Sequence, residues 1–102
     1  MTPNRSDILD RVPTDLFVGG TWRPASDGGR FDVHDPATAG TIASVAAGTV
    51  DDSLAAVAAA HEAHGPWGAT APRQRAEILR RAFEIMTERT AEIAELIVRE
   101  NG

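Results

Sequence analysis

Residues 70–102 read TAPRQRAEILRRAFEIMTERTAEIAELIVRENG, the longest run in the chain with one clear period. Leu79, Phe83 and Met86 recur at i, i+4 and i+7, and Ile78, Ala82 and Ile85 fill the neighbouring ridge. Ile93, Leu96 and Ile97 resume the pattern after a break near Thr90. This spacing predicts an apolar stripe along one side of a helix, or of two helices in succession. Arg80, Arg81, Glu84, Glu88 and Glu92 fall on the opposite, solvated side. A stripe this wide needs a partner surface, and the preceding residues supply only part of one.

Composition explains why. Of the 102 residues, 42% are apolar, within the globular range. Much of that share is alanine, which contributes little burial per residue, and the large rings are confined to Phe17, Trp22, Phe31, Trp67 and Phe83. The core is therefore expected to be thin. The net charge is −5, and all ten basic residues are arginine. An acidic chain is a poor nucleic-acid binder, because phosphate contacts require positive patches. The one cluster, Arg73, Arg75, Arg80 and Arg81, has Glu77 and Glu84 interleaved at helical spacings, so it reads as intrahelical ion pairs. There is no cysteine, which removes disulfides, thiolate metal sites and a thiol nucleophile from these residues. No apolar run reaches the roughly 20 residues of a membrane span. The first sixteen residues have no apolar signal core, so a cytoplasmic location is expected.

Working back towards the N-terminus, residues 1–13 read as an arm. Ile8, Leu9 and Val12 suit one helical turn ended by Pro13. Leu16-Phe17-Val18 and Thr21-Trp22-Arg23 flank Gly19-Gly20, the pattern of a two-residue β-hairpin turn with positive φ. Residues 24–29 form a loop, 31–34 and 41–46 two further strands, and 35–40 a turn. Thr49 is placed to cap a helix with Asp51 and Asp52 in its first turn. That helix is expected to stop near His64, with Gly65 and Pro66 beyond its end and Trp67 plugging the joint. Thr70 is read as the cap of the next helix and Thr90 as the cap of the last, from Ala91 to about Glu100. The expected class is α+β: a β-hairpin and short strands followed by three helices.

Little in these residues suggests chemistry. Gly19-Gly20 and Gly28-Gly29 lack the phosphate-loop spacing and do not open a helix. His61 and His64 share a helix with Glu62 but have neither a third ligand nor an HExxH pattern. His34 reads as a strand histidine. The carboxylates suit caps and solvated faces, and no serine sits in a nucleophile elbow.

The order of these pieces resembles the N-terminal segment of the aldehyde dehydrogenase superfamily. Residues 16–22, LFVGGTW, are similar to the family's I-G-G-x-W hairpin, and residues 31–40, FDVHDPATAG, to F-x-V-x-N-P-A-T-G. Residues 57–61 and Trp67 follow in order, then residues 75–81, RAEILRR, similar to R-x-x-I-L-R-x, and 100–102, ENG, similar to E-x-G-K-P. The likeness covers residues 14–102, and the phrase ATAPRQRAEILRRAFEIM at 69–86 is most like the succinate-semialdehyde dehydrogenase branch. Two departures, Asp35 for the usual Asn and the extra Ala39, are expected to affect only the local geometry of a surface turn.

The resemblance implies that residues 14–102 form the first part of a cofactor-binding domain in an α/β fold, truncated here. It implies NAD or NADP as cofactor, an aldehyde substrate and a homo-oligomer. In such enzymes a thiolate attacks the aldehyde carbonyl, hydride passes to the nicotinamide and water releases the acid. The family's nucleophilic Cys, general-base Glu and oxyanion-hole Asn have no counterpart in these 102 residues. No catalytic or cofactor-binding residue is therefore carried over, and the segment alone is expected to be inactive. The resemblance also suggests a structural monovalent cation held by the His34 carbonyl and the Glu100 side chain. The competing expectation is a free-standing helical interaction module that buries the same stripe in a homodimer.

Overall fold

The computed structural model describes residues 6–102; the first five residues of the expected arm lie outside that range. The elements run α1 (Ser6–Arg11), β1 (Leu16–Val18), β2 (Thr21–Arg23), β3 (Arg30–His34), β4 (Thr41–Ala46), α2 (Val50–Ala69), α3 (Pro72–Glu88) and α4 (Thr90–Asn101). The α+β order expected from the sequence is therefore present, with the arm's helical turn as a short helix of its own. Among the described residues the strands make two separate two-stranded antiparallel sheets.

The first hairpin pairs Leu16 with Arg23, Phe17 with Trp22 and Val18 with Thr21. Its turn puts Gly19 at φ 61° and Gly20 at φ 85°, and glycine reaches that region without the Cβ clash that penalises other residues. The opposed Phe17 and Trp22 rings meet edge to face at 4.8 Å. The second hairpin pairs β3 with β4 and has an irregularity between Val33 and His34. Arg30 ties this sheet to the segment before β1: its guanidinium donates to Asp15 Oδ1 (3.0 Å), Thr14 Oγ1 (2.8 Å) and the Ser44 carbonyl (2.6 Å). The Ala46 amide donates to the Thr14 carbonyl at 2.8 Å.

Three helix boundaries differ from the sequence reading. The first helix does not stop at His64; α2 continues through Gly65, Pro66 and Trp67 to Ala69. Proline fixes φ near the helical value, though it removes its own hydrogen bond and its ring crowds the carbonyl one turn earlier. It clashes with the backbone and Cβ of the residue before it, but Gly65 has no Cβ to clash. Gly65 also stays out of the left-handed conformation of a helix-ending glycine. Trp67 accordingly lies within the helix, 41% exposed, and plugs no joint.

Thr70 does not cap α3. It ends α2, its hydroxyl donating to the Pro66 carbonyl at 2.8 Å, while Ala71 precedes α3 with Pro72 at the first helical position. Thr90 does not cap α4 either. The break is a single residue, Arg89 (φ −103°, ψ 18°), and the Thr90 hydroxyl turns back to the Thr87 carbonyl at 2.7 Å. Thr87 does the same to Phe83 at 2.8 Å. Hydroxyls that compete for helix carbonyls bend the ladder where no Gly or Pro is present.

The expected thin core is observed. Among the described residues the buried apolar ones are Ala25 and Ala46, and no large side chain is fully enclosed. The radius of gyration is 17.0 Å, where a compact chain of this length has about 13 Å. The accessible surface is 7749 Å², against about 5,500 Å² for a compact protein of 10.8 kDa. The helices thus leave apolar faces open: Leu54 and Val57 on α2, Leu79, Phe83 and Met86 on α3, and Ile97 and Val98 on α4.

Candidate functional site

The tightest polar arrangement surrounds Asp52, which is 5% exposed. Thr49 and Asp52 form a reciprocal capping box at the start of α2, a T-x-x-D variant of the familiar S/T-x-x-E pattern. Asp52 Oδ2 accepts from the Thr49 amide (2.9 Å), the Thr49 hydroxyl (3.0 Å) and, across the fold, the Ser26 amide (3.0 Å). Thr49 Oγ1 also accepts the Asp52 amide at 3.1 Å and lies 2.8 Å from Ser26 Oγ. A hydroxyl has one proton to give, so with Thr49 donating to the carboxylate, Ser26 must donate to Thr49. Arg23 stands further off, 3.9 Å from Oδ1, and its Nε is buried without a hydrogen-bond partner among the described residues.

The Thr49 amide, followed by the Ser26 amide, holds the Asp52 carboxyl below its ordinary pKa. Burial opposes this, and the two hydroxyls add to it. Asp52 is therefore an ionised fastener between the loop after β2 and α2. The sequence places Thr49 and Asp52 together through their spacing; the part of Ser26 had no local signal.

A second junction lies at the end of α4. Gly102 takes φ 78°, its amide donates to the Val98 carbonyl at 2.8 Å, and a Cβ there would stand 2.9 Å from the Ala37 amide nitrogen. Glycine thus lets α4 end against the 35–40 turn. Asp35 in that turn is not a mere surface substitution. It is buried, caps the Ala37 amide at 2.9 Å and lies 3.7 Å from Arg99 of α4. The extra Ala39 adopts φ 61°, which is costly for a residue with a Cβ.

His34 is exposed at the end of β3, paired with Thr41. Glu100 is exposed in the last turn of α4 and lines the same crevice as Val33. These two oxygen donors come from elements that line one crevice. Among the described residues no three His, Cys, Asp or Glu side chains converge. No chemical step is assigned to a cation here.

The remaining candidates resolve into structure. His61, Glu62 and His64 are exposed along α2. Arg80 pairs with Glu77 and Glu84, and Arg81 with Glu84 and Glu88, at 3.4 to 3.7 Å, as their spacing predicts. No helix among the described residues is long and apolar enough to cross a membrane.

The surface with most capacity for function is apolar. Phe83, Met86, Ile93 and Ile97 line an open groove of about 390 Å³ where α3 meets α4. Its threonines, Thr87 and Thr90, have turned their hydroxyls into the helix backbone, so the groove presents mostly carbon. A second groove, about 530 Å³, runs between the tip of the first hairpin and the alanine-rich side of α2. Such faces can bind an apolar partner surface.

A family model described as the aldehyde dehydrogenase family matches residues 22–102. No solved structure matches the chain.

Proposed function

The chain belongs to the aldehyde dehydrogenase family, and from that premise we propose that residues 14–102 form the scaffolding first part of the cofactor-binding domain in an NAD- or NADP-dependent aldehyde dehydrogenase. The enzyme oxidises an aldehyde to the carboxylic acid, acts as a homo-oligomer and works in the cytoplasm. The nicotinamide cofactor supplies the hydride acceptor. The residues described here supply shape: the Asp52 fastener sets the first hairpin against α2, and the Arg99–Asp35 contact sets α4 against the second hairpin.

The observation that carries the scaffold reading is the bare apolar face of α3 and α4, with Leu79 64%, Phe83 68% and Met86 60% exposed. A contiguous exposed patch of side chains this large marks a face that another surface covers. With no cysteine among the 102 residues, the thiolate nucleophile has to come from another segment. The finer part of the proposal, succinate semialdehyde as substrate, is supported by the likeness of residues 69–86 alone.

The test is a turnover assay on the intact polypeptide that carries these residues. Reduction of NAD or NADP is followed with succinate semialdehyde and with unrelated aldehydes. We expect reduction with at least one aldehyde, fastest with succinate semialdehyde, and none from residues 1–102 alone. No reduction with any aldehyde would overturn the enzymatic reading; equal rates with all would overturn only the choice of substrate.

A further inference from the structure

We draw no further inference here: the strongest candidate, the open apolar groove between α3 and α4 lined by Phe83, Met86, Ile93 and Ile97, is an unpartnered helix face, and nothing in the structure shows what covers it beyond the scaffold role already proposed.

Discussion

The start of α2 and the α3–α4 limb are both helical, yet they are held by opposite means. Around Asp52, a carboxylate, a hydroxyl pair and three amides from segments up to 26 residues apart satisfy one another within 3.1 Å. Along α3 and α4, the charged flank pairs with itself and the apolar flank faces outward. The first region is closed by its own polar groups, the Arg23 Nε beside it excepted. The second has the amphipathic pattern of a packed helix without the packing. A segment can thus complete its local hydrogen bonding while its hydrophobic term, which dominates folding, remains unmet.

The largest test of this contrast is Phe83→Ala. In the intact enzyme, where the scaffold reading covers this face, the substitution should cost about 3–5 kcal/mol, as for a buried phenylalanine. In residues 1–102 alone, where Phe83 is 68% exposed, it should stay within about 0.5 kcal/mol. Urea unfolding of both proteins reads the difference. A shift of less than about 0.5 kcal/mol in the intact enzyme would show that the face is bare there too, and the scaffold reading would fail.

Asp52→Ala comes next. It removes the acceptor for three donors at once, so its loss of stability should exceed that of Thr49→Ala. Hydrogen exchange localises the effect: the Ser26 amide should lose protection in Asp52→Ala. Retained protection would mean that the carboxylate does not fasten the loop. The same group sets a pH dependence. Its folded pKa lies below that of an ordinary aspartate, so its contribution is full above the ordinary value and is lost as pH falls through the folded one. Acid titration of the Ser26 amide exchange should show this decline in the parent protein and no such step in Asp52→Asn.

Thr49→Ala should cost about 1 kcal/mol, the usual range for a lost N-cap, measured as a fall in the thermal midpoint. A neutral result would show that the Ser26 hydroxyl substitutes for the cap. The smallest effect belongs to the paired flank of α3. Glu84→Gln should cost about 0.3 kcal/mol, and less as salt is raised, because these pairs sit at an exposed surface. A loss near 1 kcal/mol that salt does not reduce would mean the flank is buried in the working protein.

Where the sequence reading succeeded, the signal was local. Gly19-Gly20 called for positive φ between two strand-forming runs, and both glycines have it. Thr49 reads as the N-cap of α2 with Asp51 and Asp52 in its first turn, and the structure has both, while Arg80 and Arg81 stand at helical spacing from Glu84. Where it failed, two local signals competed. Gly65-Pro66 spells a helix stop, but glycine removes part of the steric cost that makes proline a stop. Thr70 and Thr90 are good caps by composition, and their hydroxyls instead reach back one turn to helix carbonyls. Asp35 looked like a loop substitution because its partner, Arg99, lies far along the chain.

The sequence by itself determined the element order, the first hairpin, the charged flank of α3 and the family. Each follows from residue type and spacing within a few positions, where backbone sterics and helix periodicity act. Only the tertiary structure decided that Ser26 completes the Asp52 fastener, that Asp35 and Gly102 bring the second hairpin and the end of α4 together, and that the stripe on α3 and α4 is left uncovered. Those depend on which distant surfaces meet. A period of 3.6 residues specifies that a helix has an apolar side, and it contains nothing about what that side will touch.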